Sequence, residues 1–209
     1  MATDSFAIRP YEPGDLGAVY AVCLQTGDSG EDATGLYQDG DLLGHLYVGP
    51  YVSLEPALAF VLEDERGVCG YALGALDTAG FFRRVHEEWL PPLQARYSRP
   101  SGQRDARSRD EQLISELYDY DMALPADLES YPSHQHIDLL QHAQGRGQGT
   151  RMMESALAAL AEEGSPGVHL GVGVRNVRAQ GFYRKLGFSE LTPASDAWPG
   201  TIVMGKRLP

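Results

Sequence analysis

Gln144-Gly145-Arg146-Gly147-Gln148-Gly149-Thr150 separates two contrasting patterns, and their junction decides the fold. Before it, His134, His136, Asp138 and Leu140 alternate with Gln135, Ile137 and Leu139, the period of a strand over 134–140. After it, Met153, Ala156, Leu157 and Leu160 recur at helical spacing, which predicts a helix over 149–163 ended by Gly164. Glycines let the backbone turn tightly and aim several N–H groups at one point, and a helix N-terminus adds partial positive charge. The turn therefore suits an anion such as a pyrophosphate. Spacing excludes two other phosphate motifs: a dinucleotide GxGxxG would need glycine at Thr150 or Met152, and no GxxxxGK[ST] string occurs.

Downstream, residues 168–174 read as a strand with Val168, Leu170, Val172 and Val174 on one face and His169, Gly171 and Gly173 on the other. Asn176 can cap a helix over 177–186 whose buried face carries Ala179, Phe182 and Leu186, Gly187 stops it, and 202–206 is a final strand. Upstream, 6–10 is a short strand and Asp15 can cap a helix bearing Leu16, Val19, Tyr20 and Cys23. The Gly-, Asp- and Tyr-rich stretch 26–56 reads as irregular surface or pocket wall, and 57–62 with 68–76 as a β-hairpin. A helix with Phe81, Phe82, Val85 and Trp89 is expected to stop at Pro91 and Pro92, and another to cover 111–120. This long excursion between the third and fourth strands is a candidate lid.

The 209 residues are expected to form one domain, 1–209. A net charge of −12 leaves no basic face of the kind nucleic acid requires, and acidity of this kind commonly serves solubility. No apolar run is long enough to span a bilayer, and Cys23 and Cys69 suit a reducing compartment, so the expected location is the cytoplasm, with no membrane partner. Oligomeric state is not legible.

Gln144-x-x-Gly147-x-Gly149 resembles the pyrophosphate loop of the GNAT N-acetyltransferases, and Asn176-x-x-Ala179-x-x-Phe182-Tyr183-x-Lys185-x-Gly187-Phe188 resembles a second GNAT motif at every defined position. The resemblance implies an α/β (α+β) GNAT fold: a central, mixed, mostly antiparallel sheet flanked by helices, with a helical insertion between strands 3 and 4. It also implies acetyl-CoA as co-substrate, held by Leu139, Leu140, Gln144, Gly145, Arg146, Gly147, Gln148, Gly149, Thr150, Asn176, Ala179, Phe182, Tyr183 and Lys185. Its pantetheine arm would lie between parted strands. From Leu76-Asp77 through Pro132-Ser133 and His136-Ile137-Asp138, the chain further resembles the acetyltransferase-like domain of O-GlcNAcase, as a free-standing bacterial-type relative. The eukaryotic domain is regarded as inactive because its loop lacks the glycines that stand here at 147 and 149.

On this resemblance an amine attacks the thioester directly, backbone N–H groups near Leu139 and Leu140 hold the oxyanion, and Tyr183 protonates the leaving thiolate. Asp138, then His136, are the candidate proton acceptors. No Glu occupies the strand position where many family members keep a base; Ser133 or His134 stands there. The alternative is a catalytically silent acetyl-CoA-binding module. His134-x-His136-x-Asp138 also has metal-ligand character, but Leu139 stands where a hydrolase would add a further His, so no metal is expected.

Overall fold

The computed structural model describes residues 5–120, 128–192 and 200–209. Strands β1 (Ala7–Pro10), β2 (Ala59–Asp64), β3 (Gly67–Ala75) and β4 (Ser133–Leu139) pair antiparallel in sequence order. β5 (Gly167–Gly173) joins β4 in parallel. β6 (Ser189–Thr192) and β7 (Thr201–Arg207) complete a seven-stranded sheet in which β7 lies between β5 and β6. The sequence reading had no strand at β6. It is four residues long and is recognised through its pairing with β7.

Helices cover both faces. α1 (Leu16–Thr26), α2 (Leu42–Tyr47), α3 (Gly49–Leu54), α4 (Thr78–Arg84), α5 (Leu90–Arg96) and α6 (Arg109–Asp119) share one apolar core with the Val61, Tyr71 and Leu73 face of the sheet. α7 (Gln148–Glu162) covers the opposite face, where Met152 and Ala156 meet Leu62, Ala72 and Leu139. Met153, Leu157 and Leu160 meet Val168, Leu170 and Val172 there, beside α8 (Val177–Lys185). A helix against each face removes alternate side chains of every central strand from water, which is what drives such a layered fold.

Several sequence expectations change. The stretch 26–56 is divided: 27–32 and 34–36 are exposed and Tyr51 lines a cavity, as expected, but Leu42, Leu43, Leu46, Val48 and Val52 are buried in α2, α3 and their junction. Gly44 and Gly49 serve close contact rather than turns; a Cβ on Gly44 would come within 2.3 Å of the Tyr20 ring. Asp15 precedes α1, but its carboxylate accepts from Arg9 and the Glu12 N–H instead of capping that helix. Pro91 and Pro92 do not stop the helix at 89. Val85–Trp89 is wound more widely, and α5 begins at Leu90 with the prolines in its first turn, where a missing N–H is tolerated. The helices between β3 and β4 bury Phe81, Val85, Leu90 and Leu117, so the expected lid is integral to the core.

Candidate functional site

The centre of the sheet is open. β4 and β5 pair at only two register positions, Ser133 with Val168 and His134 with His169, and then part. The Leu140 N–H donates to the Cys69 carbonyl, and antiparallel pairing alternates along a strand, so Ile137 and Leu139 turn their peptide groups to the β5 side, where no strand meets them. Of the two backbone donors expected at an oxyanion, Leu140's is thus committed to β3 and Leu139's faces the gap. Gly171 and Gly173 are exposed on the other bank.

The gap ends at the glycine loop. Gly145 and Gly147 have φ of 74° and 76°, a left-handed backbone that disfavours other residues, and Gly147 caps α7. The N–H groups of Gln148, Gly149 and Thr150 begin the helix and lack intrahelical acceptors. Gly149 packs on Phe182, whose ring would lie 3.4 Å from an added Cβ. Gln144 donates to the Leu139 carbonyl (2.7 Å) and accepts from Arg178 (2.6 Å), tying loop, β4 and α8 together. Arg178 is a site residue that the motif reading missed. Local charge could have flagged it: residues 141–186 hold six Arg and Lys (146, 151, 175, 178, 184, 185) against three Glu (154, 162, 163), within a chain of net charge −12.

Asn176 accepts from the Ala179 N–H at 3.0 Å and caps α8. Gln180, also unanticipated, is buried and donates to the Gly173 and Val174 carbonyls, fastening α8 to the end of β5. Ala179, Phe182 and Tyr183 pack against the core on the α7 side, while Lys185 is exposed.

On the other face of β4, the Tyr71 hydroxyl donates to Asp138 Oδ2 at 2.6 Å, and His136 Nε2 lies 3.0 Å from the same oxygen and 3.1 Å from the Tyr71 hydroxyl. The tyrosine has one hydrogen and Asp138 takes it, so His136 must bring its own at Nε2, and in the neutral tautomer that this selects the lone pair lies on Nδ1. Tyr71, fully buried, was not anticipated. Burial, then the Asp138 charge, raises its ionisation well above the usual phenol range. Burial and then the Asp138 charge raise Tyr183 likewise, which keeps that phenol protonated. His134 lies deeper, stacked on Phe82 at 4.9 Å and fully buried against His169. A cavity of about 170 Å³ at the foot of the gap is lined by both histidines, His136, Tyr51, Phe82 and Gly171 among others.

His134, His136 and Asp138 do not converge as a metal-ligand group. Among the described residues, Asp64, Cys69 and His142 do come together near the hairpin. Asp64 is already bonded by Arg66 and by His142 at 3.0 Å, and its carboxyl is held down at about 2, chiefly by Arg66. Burial raises the Cys69 thiol to about 11, so that group satisfies itself as an ion pair.

A model of the acetyltransferase (GNAT) family matches residues 135–188, from β4 to the turn after α8. The solved structure of SsHAT is 39% identical, with a TM-score of 0.88 over 97% of this chain and 98% of that one. This chain belongs to the GNAT acetyltransferase family. Rat (Rattus norvegicus) protein O-GlcNAcase is 32% identical over 206 residues, 97% of this chain but 22% of that protein, so the chain spans about a fifth of its curated relative's length. The structure of yncA from Salmonella typhimurium with its cofactor acetyl-CoA shares the fold at 13% identity, with a TM-score of 0.54 over 99% of this chain and 95% of that one. The expected mixed sheet flanked by helices is that of this GNAT chain, and the likeness to SsHAT extends past 135–188 into the helices between β3 and β4. No described helix is long and apolar enough to cross a membrane.

Proposed function

We propose that this GNAT protein is an acyl-CoA N-acyltransferase, moving the acetyl group of acetyl-CoA directly to an amine in the cytoplasm, without a metal. One observation carries the reading: a gap in the sheet, bordered by unpaired peptide groups of β4, runs from a solvent-open glycine loop to a cavity beside His136. The fit is chemical. Free N–H groups at the start of α7 and the surrounding arginines suit a diphosphate, and the peptide groups of Ile137 suit an amide of a pantetheine arm. Gln144 and Asn176 serve by holding this frame, through Arg178 and the Ala179 N–H respectively.

Bound acetyl-CoA supplies an activated thioester. The Leu139 N–H holds the carbonyl oxygen as charge develops on it. His136 accepts the amine proton at Nδ1 while Asp138, bonded at Nε2, steadies the charge the ring gains, so the two expected acceptors act as one unit. Tyr183 gives its proton to the departing sulfur. The test has two parts. Calorimetry should register acetyl-CoA binding, and free CoA should accumulate when amines are added. Binding without any release over a broad amine panel would leave a silent coenzyme-binding module, and no binding would sink both readings.

A further inference from the structure

Near His136 the wall of the gap carries a carboxylate besides Asp138. Tyr47, at the end of α2, is 40% exposed, with its ring 6.5 Å from the His136 ring, and its hydroxyl donates to Glu116 Oε2 on α6 at 3.2 Å. Burial and then the Glu116 charge raise the Tyr120 phenol to about 12, and the Tyr120 ring lies 6.3 Å from that of Phe82, which lines the cavity. Glu116 therefore stands by two tyrosines, one beside His136 and the other beside Phe82, next to the cavity that both of those residues line.

These surroundings favour a cation. Residues 10–65, which supply Tyr47 and the cavity's Tyr51, contain eleven Asp and Glu and no Lys or Arg, and among the described residues the cavity lining has no Lys or Arg either. An exposed tyrosine ring beside a carboxylate is a place where an ammonium gains from both. Asp138 serves differently: Tyr71 and His136 already bond it, so its charge acts on the imidazole 3.0 Å away. A carboxylate paired with the nitrogen that reacts would oppose the reaction, because it stabilises the ammonium against loss of its proton. The charge that retains the acceptor therefore belongs on a second nitrogen, and a chain of a few carbons covers the 6.5 Å between the Tyr47 and His136 rings.

We propose that the acceptor is an aliphatic diamine, one ammonium resting on Tyr47 and Glu116 while the other nitrogen reacts at His136. This rests on the acetyl-transfer reading and adds a substrate class to it. The reacting nitrogen first yields one proton to solvent, which reaches the partly exposed His136. Its lone pair then forms the bond to the acetyl carbon while the carbon–sulfur bond breaks. The sulfur leaves with the electron pair and takes the Tyr183 proton, the surplus proton on nitrogen passes to His136, and exchange with solvent restores both side chains.

The test uses the full chain saturated with acetyl-CoA and two probes of equal chain length, cadaverine and n-pentylamine, with CoA release as the readout. The kcat/KM for cadaverine is expected to exceed that for pentylamine by about tenfold, mostly through KM. Glu116→Gln should bring the two within about threefold while acetyl-CoA affinity, measured by calorimetry, stays unchanged. Tyr47→Phe, which keeps the ring and removes only the bond to Glu116, should lower the ratio by about threefold, and it decides the matter if Glu116→Gln disturbs coenzyme binding. Equal or better use of pentylamine, or a cadaverine preference that survives both substitutions, would overturn the proposal. CoA release with other amines but with neither probe overturns it alone. Silence with every amine, or no acetyl-CoA binding by the wild-type protein, overturns the transfer reading and this one with it.

Discussion

Strand β5 meets β7 at seven register positions, from Gly167 with Arg207 to Gly173 with Thr201, and β4 at only two. The same residues thus form a complete ladder on one edge and an abandoned one on the other, so strand propensity does not explain the difference. What differs is the company of the partner strand. β4 runs into the Gln144 brace and the glycine loop, while β7 continues alongside β5. Peptide groups left unpaired in the middle of a sheet are costly unless something else bonds them, which is why the open edge reads as a binding site and the closed edge as scaffold.

The largest effect should come from the phenol at the open edge. Tyr183→Phe is expected to lower acetyl transfer by about a hundredfold while acetyl-CoA affinity stays unchanged, measured by thiol release and calorimetry. Equal turnover in the two proteins would detach Tyr183 from the gap's purpose. Gly147→Val should come next: a β-branched side chain at a φ of 76° costs about 1–2 kcal/mol or reshapes the loop, weakening coenzyme binding by about tenfold. A binding isotherm like that of wild type would mean the loop does not hold the coenzyme.

The foot of the gap, where the two edges are both paired, should respond to acid. Burial pushes His134 and His169 below their ordinary value of 6.5, so as pH falls through that value the unfolded chain takes up protons before the folded one does. Their contribution to stability is full above 6.5 and is lost as pH drops toward their depressed folded values, at up to about 1.4 kcal/mol per pH unit for each. Urea unfolding between neutral and mildly acid pH should show this slope, reduced in His134→Phe; an unchanged slope would mean that His134 is not held neutral. The smallest effect is expected for Arg178→Ala, about threefold in coenzyme affinity and shrinking with added salt, since the side chain is exposed and screened.

The glycine loop, α7, β5 and α8 were legible because their information is local. Periodicity around 134–163, Asn176 as a cap and glycine at 145 and 147 each act within a few residues of themselves. The stretch 26–56 misled for the opposite reason: glycine at 44 means a turn by itself and a close helix contact beside Tyr20. Likewise Pro91 and Pro92 are breakers in isolation and acceptable after a widened turn.

The site divides along the same line. By itself the sequence showed a glycine turn of a kind that suits an anion at the start of a helix, and set Tyr183, His136 and Asp138 in stretches that resemble the family. Tertiary structure alone decided that β4 and β5 part after two pairs, that Tyr71 binds Asp138 and orients His136, and that His134 Nε2 is buried without a partner among the described residues. Turn chemistry is a property of neighbours in the chain, whereas a parted seam and a proton's address depend on groups distant in sequence, such as Tyr71 and Asp138, 67 residues apart, that only folding brings within bonding distance.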